Sequence, residues 1–300
     1  LKKPRIQRKL MLMVVGGMCN SQIADALGVA PSTIDRQIYR LGRHCLLYHL
    51  EMMKRRPRLQ EVILDSFVSF EHSQYHPFHF HLAVAPKSTF LPYFTDSEVR
   101  RSGRMTEAQK CKREQLEKLR GCPNPKAVRK DVHELLEFIC RDLEQVTLHT
   151  DDHREYPLAI RPLKCRVRHI VTSSQERRDY LNRLFEINLC DLQLRHGDAA
   201  HKRETIAYVK RRNSAALRLA IFLVWKNYLR GKRKRKRDRK RTPAMLVGLC
   251  QRPLTVSELL GRRLFAEQIG LEGRWRQYYW GEVQTRALKV NRRHELKYAR

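Results

Sequence analysis

Residues 61 to 95 constrain the fold of this chain more than any other stretch. They contain EVILDSFVSF, FHFHLAVA and TFLPYFT (61–70, 78–85 and 89–95), three strand-like runs parted by turn-forming residues. Short runs rich in β-branched and aromatic residues, bounded in this way, predict an antiparallel meander. Asp65 stands inside the first run. A carboxylate merely buried in a strand would be costly, so its presence there calls for a function.

The pattern then changes. Residues 98 to 145 are charged and helical in pattern, broken at GCPNP (121–125). A further strand, VTLHT (146–150), runs directly into two acids, Asp151 and Asp152, and is followed by a short helix and the strand VRHIVTSS (167–174). From Asn182 to Tyr228 the chain is largely helical, and its apolar end, SAALRLAIFLVWKNYL, is expected to pack on the sheet. Three strands, a helical segment, two strands and a helix define an α/β chain with a mixed sheet flanked by helices. At 300 residues the chain is long enough for one large domain or two moderate ones.

Ahead of the meander lies GMCNSQIADALGVAPSTIDRQIYRLGRHC. Ser21 can cap a helix carrying Ile23, Ala24 and Leu27, and Gly28 breaks it. Pro31 and Ser32 open a second helix with Ile34, Ile38 and Leu41 on its packing face. A small Ala before a turn Gly is the packing pattern of a helix-turn-helix. Its second helix would offer Ser32, Thr33, Arg36, Gln37 and Arg40 to a major groove.

Charge fits that reading. The 62 Lys and Arg outnumber the 31 Asp and Glu, for a net charge of +31. Such a surplus attracts a polyanion, with counterion release supplying much of the affinity. Nucleic acid is the expected partner rather than a membrane, because the longest clean apolar run in the C-terminal third, LAIFLVW (219–225), is far short of the roughly 20 residues a bilayer needs. RGKRKRKRDRKR (230–241) holds ten basic residues in twelve and reads as an arm for phosphate contact through Lys232, Arg233, Lys234 and Arg235. Trp275, Tyr278, Tyr279 and Trp280 in the tail read as packing residues.

Other chemistries find little support. The eight cysteines are scattered without CxxC spacing, which argues against a disulfide framework or a cysteine zinc site and for reduced thiols in a cytosolic protein. His79 and His81 share a strand face near His72 and His76, an arrangement that could suit a metal but lacks a spaced partner motif. Leu1 in place of Met points to a reading frame that begins upstream.

The segments SQIADALGVAPSTIDRQIYRLGRHCLLYH, LDSFVSFEHSQYHPFHFHLAVA, LHTDDHREYP and HKRETIAYVKRRNSAALRLAIFLVWKNY, in this order, resemble a bacterial insertion-sequence transposase of the DDE type, through roughly residues 3 to 245. The resemblance implies a ribonuclease H-like catalytic domain. It divides the chain into a helix-turn-helix domain (1–53), a linker (54–60), a catalytic domain (61–229, with a helical insertion at 98–145), the basic arm (230–241) and a helical tail (242–300). It implies Asp65 and Asp151 as metal ligands for Mg²⁺ or Mn²⁺, two ions roughly 4 Å apart that stabilise the attacking and leaving oxygens of a phosphodiester. Asp152 becomes a supporting residue, or simply a helix N-cap.

The third ligand stays open. Glu204 is seven residues before Arg211, about two helical turns, so both would project from one helix face. Asp191 and Asn188 are the alternatives. The resemblance further implies cleavage and strand transfer at the terminal inverted repeats of double-stranded DNA, a homo-oligomer that joins two ends, and a cytoplasmic, nucleoid-associated location. The alternative function is a repurposed transposase that binds DNA without cutting it.

Overall fold

In the computed structural model, residues 4–57, 59–202, 206–232, 241–291 and 293–296 are described. The N-terminal part is helical: α1 (Pro4–Val15), α2 (Asn20–Leu27) and α3 (Pro31–Met53). Gly28 ends α2 in the left-handed region, φ 61°, where a residue with a Cβ is strained, and Pro31 opens α3 at a position that needs no backbone donor. Cys19, not Ser21, is the N-cap of α2; its backbone N–H donates to the Gln22 side chain. Ser21 lies inside the helix.

Five strands follow: β1 (Glu61–Phe70), β2 (Pro77–Val84), β3 (Phe94–Glu98), β4 (Gln145–Thr150) and β5 (Arg166–Val171). They form one sheet in the order β3-β2-β1-β4-β5. β1, β2 and β3 pair antiparallel, whereas β4 joins β1 and β5 joins β4 in parallel. An antiparallel meander extended by two parallel strands beside its first member is the ribonuclease H-like arrangement. The third strand starts later than its sequence pattern suggests. Residues 89–93 make only an isolated bridge, Ala85 to Phe90, because Lys87 and Thr89 hold positive φ and Pro92 has no N–H to donate.

Between β3 and β4 come α4 (Glu107–Arg120), with no buried residue, and α5 (Ala127–Cys140), which lies over β2 and β3. α6 (Tyr156–Ile160) follows β4, and α7 (Phe185–Gly197) lies over β1 and β2. Side chains alternate along β1, so Ser66 faces α5 while Asp65 and Phe67 face α7. The Arg195 guanidinium sits 5.1 Å from the Phe67 ring, which confirms the second placement.

α8 (Arg212–Val224) continues into a π-helical turn at Trp225–Leu229. The sequence pattern suggests that this apolar helix packs on the sheet, but it packs principally against α3. The two helices meet at Gly42, where a Cβ would stand 2.6 Å from the Leu217 Cβ. α8 is buried all round, so its hydrophobicity carried no information about which neighbour it takes. The tail adds α9 (Pro243–Leu246), α10 (Val256–Gly261), α11 (Ala266–Ile269) and α12 (Gly273–Trp280). Trp275, Tyr278 and Tyr279 are buried, as their packing role requires. Buried residues of α1–α3, the sheet and the tail belong to one continuous hydrophobic core.

One buried ion cluster ties tail, sheet and α8 together. Asp96 on β3 is fully buried and accepts two hydrogen bonds from Arg274, at 2.7 and 3.0 Å, and one from the Tyr278 hydroxyl. Arg212 Nε lies 3.2 Å away. Burial alone would raise the Asp96 carboxyl, but the two guanidinium groups and these hydrogen bonds bring it down to about 2. Asp96→Ala leaves Arg274 without its paired carboxylate and Arg212 with Glu98 alone, at 2.7 Å, and should cost about 3–5 kcal/mol of unfolding free energy, measured by urea denaturation.

Candidate functional site

The site is built by the parallel pairing of β1 with β4. Ile63 pairs with His149. Continued two residues past that last pair, the register aligns Asp65 with Asp151 on the same face, on chains that lie about 4.8 Å apart within a ladder. Asp151 is the first residue beyond β4. Its Oδ1 accepts the His153 N–H at 3.1 Å, and the Thr150 hydroxyl, 2.8 Å from His169 Nε2, donates to its carbonyl at 2.7 Å. Asp65 Oδ1 accepts the Ser66 N–H at 2.6 Å.

Burial above all pushes the Asp65 carboxyl up to about 6. The Ser66 N–H opposes that shift, the Asp151 carboxylate adds to it, and Arg178 opposes it. The pair is thus a place where negative charge is held against its own preference. A hard divalent cation suits it: oxygen donors from one strand and the end of its neighbour, one of them raised in pKa mainly by burial. Among the described residues no three His, Cys, Asp or Glu side chains gather closely enough to make a metal cluster by themselves.

The sequence expectations for a third residue meet the structure unequally. Asp191 lies on α7, the helix that packs over β1 on the face to which Asp65 points. Asn188, also on α7, is one turn earlier and shares that face. Glu204 lies outside the described residues. The helix expected to carry it to Arg211 is not continuous, because 206–210 are irregular and Arg211 is the extended N-cap of α8. Arg211 donates to the Val290 carbonyl at 3.0 Å.

Asp152 is exposed and does not cap α6, whose N-cap is Glu155. Its carboxylate accepts both the N–H and the hydroxyl of Ser174 at 3.2 Å, bonds that lower its pKa and pin the segment leaving β5 beside the site. The metal reading of His79 and His81 is excluded for His81, since both its ring nitrogens are engaged, with Ser66 at 2.6 Å and Ser97 at 2.7 Å.

Of the residues expected to read DNA, Ser32 and Arg36 are exposed on the first turns of α3, and Thr33 and Arg40 are half-buried. Gln37 is not available. It is 5% exposed and accepts a hydrogen bond from Gln7 at 2.8 Å, because α1 covers that side of α3. Lys232 approaches Glu186 at 3.8 Å, while Arg233, Lys234 and Arg235 lie outside the described residues. Sequence reading missed Tyr156, which fills the space beside β1 where β4 has ended. Its only signal was a Tyr five residues after Asp151.

No protein-family model matches the chain, and no curated protein does. Solved structures similar to it include the simian T-cell lymphotropic virus intasome, at 14% identity and a TM-score of 0.29, over 64% of this chain and 56% of that one. A pre-cleavage Mos1 transpososome is similar at 11% identity and a TM-score of 0.17, over 50% of this chain and 54% of that one. The chain thus spans little more than half the length of either neighbour. Strand order and pairing, not these likenesses, define the fold.

The raised Asp65 value has a consequence for stability. Its carboxyl titrates near 6 when folded, against an ordinary 3.8. Ionisation therefore costs the folded state nothing below pH 3.8, an increasing amount between 3.8 and 6, and the full amount above 6. In metal-free buffer at pH 7.5, Asp65→Asn should raise the unfolding free energy by about 1–3 kcal/mol. The gain should shrink as the pH falls toward 4. Urea melts across that range measure it, and a gain independent of pH would rule out carboxylate burial as its cause.

Proposed function

We propose that this chain is a DNA transposase of the insertion-sequence DDE type, cleaving DNA at element ends and transferring the released 3′-hydroxyl to a target phosphodiester. The observation that carries the reading is the parallel register of β1 and β4, which, continued two residues past Ile63–His149, aligns Asp65 with Asp151 in a chain of net charge +31. A basic exterior draws in the nucleic acid, and a small acidic site within it draws in cations.

Asp65 and Asp151 would hold the metal, Mg²⁺ or Mn²⁺, with Asp191 as the third ligand and Asn188 beside it on α7. Divalent ions bound there supply Lewis acidity for phosphodiester hydrolysis and transesterification. The protein's own part is positional. β1 and the end of β4 would hold two carboxylates on the sheet, and α7, which packs over β1, would supply the third acid. The exposed first turns of α3, with Ser32 and Arg36, are the proposed contact to the terminal repeats, and joining two ends calls for a homo-oligomer on DNA.

Purified protein incubated with Mg²⁺ and labelled end DNA tests this. Asp65→Asn and Asp151→Asn should each reduce cleavage by roughly 100-fold or more, at or beyond the upper end of the 10–100-fold typical for losing a supporting residue. Cleavage that survives both substitutions would remove the metal assignment. Retarded DNA without cleavage by the wild type would instead mark a repurposed DNA-binding protein. Asp191→Asn, Asn188→Ala and Glu204→Gln, assayed side by side, identify the third residue as the one whose loss matches that of Asp65.

A further inference from the structure

Beyond the end of α8 three cationic side chains border one cavity, and the proposed chemistry makes no use of it. Thr89, Glu186, Gln193, Lys226, Arg230 and Lys232 line a space of about 170 Å³. A water molecule needs roughly 10–15 Å³ of such space, so the cavity has room for a phosphate group. Lys226 belongs to the π-helical turn that closes α8, and Arg230 follows it directly. Glu186 and Gln193 stand two turns apart on one side of α7.

Charge around the cavity is unbalanced. Among its lining residues Glu186 is the one carboxylate, and it is already engaged: Oε2 accepts the Lys87 N–H at 2.7 Å, and Oε1 lies 3.8 Å from Lys232 Nζ. Lys226 is 4% exposed, and its ammonium donates to the Thr89 carbonyl, which leaves two of its three hydrogens to place. Arg230 is half-buried, with its guanidinium 4.8 Å from the Trp225 ring, and no carboxylate pairs with it among the described residues. Three cations thus share one acid. Burial above all lowers the pKa of the Lys226 ammonium, and Arg230 adds to that shift. An anion brought in from outside would compensate buried cations of this kind.

The cavity also lies at the root of the basic arm. The Lys232 N–H donates to the Arg241 carbonyl at 2.9 Å, so the arm leaves and rejoins the fold at the rim. A polymeric anion that places one charge in the cavity would therefore lie beside the ten basic residues of 230–241.

We propose that this cavity seats one backbone phosphate of double-stranded DNA, held by Lys226, Arg230 and Lys232 as an anchor separate from the acid site. This rests on the reading of the chain as a DNA-binding transposase, but not on chemistry at Asp65 and Asp151. Ammonium and guanidinium donors on a phosphate make charge-assisted hydrogen bonds. Such an anchor reads no base; it fixes where the duplex lies on the protein.

The test is binding of a labelled duplex by the full chain, followed by fluorescence anisotropy without Mg²⁺ over a range of salt, with thermal melts to confirm folding. Arg230→Gln should weaken binding by about 10-fold near 0.1 M salt and reduce the salt slope by about 1. Lys226→Met, which keeps the apolar stem, should act in the same direction. Glu186→Gln removes the competing acid, keeps an acceptor for the Lys87 N–H, and should tighten binding by about 3-fold. Lys130 is exposed on α5, across the sheet from α7, and Lys130→Gln should change binding by less than about 2-fold. Equal losses in Arg230→Gln and Lys130→Gln would reduce the effect to overall charge and overturn the anchor. Inorganic phosphate that raises the melting temperature of wild type but not of Arg230→Gln, with duplex binding equal in the two, would mark a site for free phosphate and overturn it too. Wild type that binds no duplex removes the transposase reading and this proposal with it. Duplex binding with the expected variant effects, but no cleavage on adding Mg²⁺, refutes the proposed chemistry and supports the anchor.

Discussion

The parallel pairing of β1 with β4 is the constraint on which the rest of the site depends. Asp65 and Asp151, more than eighty residues apart in the chain, are aligned only because Ile63 is in register with His149. A slip of one residue would turn one of the acids to the opposite face of the sheet. β1 is held in that register from its other side by eight antiparallel pairs with β2, from Ile63–Val84 to Phe70–Pro77. The acids therefore sit on the most firmly paired strand of the sheet and at the end of its neighbour. Loop-borne acids would gain no such precision.

Around that register the chain separates two kinds of charge. The cationic surplus is largely at the surface, where water solvates it. Several buried charges are paired: Asp96 with Arg274 and Arg212, and Asp198 with Arg218 at 2.7 Å. Each pair joins elements distant in sequence, so its geometry is tied to the packing of α8 and α12. Asp65 differs. Its neighbour is another carboxylate, and the fold compensates it only with the Ser66 N–H and a more remote guanidinium. An uncompensated pair of this kind is a feature of sites that take up a cation, in contrast to structural ion pairs.

Several features were legible in the residues alone. Alternation and turn residues marked β1, β2, β4 and β5 closely, because strand boundaries there coincide with changes in composition. Gly28 and Pro31 marked the turn between α2 and α3, because backbone geometry restricts which residues can occupy such positions. Asp65 and Asp151 stood out as acids placed in or directly after apolar strands. The errors have equally specific causes. β3 begins five residues late since Pro92 interrupts the ladder, and Gln37 is covered by α1, a helix whose position no local pattern reveals. The helical spacing between Glu204 and Arg211 assumed a continuous helix that the irregular residues 206–210 do not provide.

By itself, then, the sequence determined most of the strands and helices, their order and the cationic surplus, and marked Asp65 and Asp151 as acids in or just after strands, since periodicity, turn chemistry and charge are local properties. Tertiary structure alone decided that α8 packs on α3, that α7 lies over β1, and that Tyr156 is tied through Ser66, His81 and Ser97 to Asp131. These are relations between side chains far apart in the chain. A helix buried all round carries no preferred face, and a hydroxyl or imidazole acquires a direction only when its neighbours are in place.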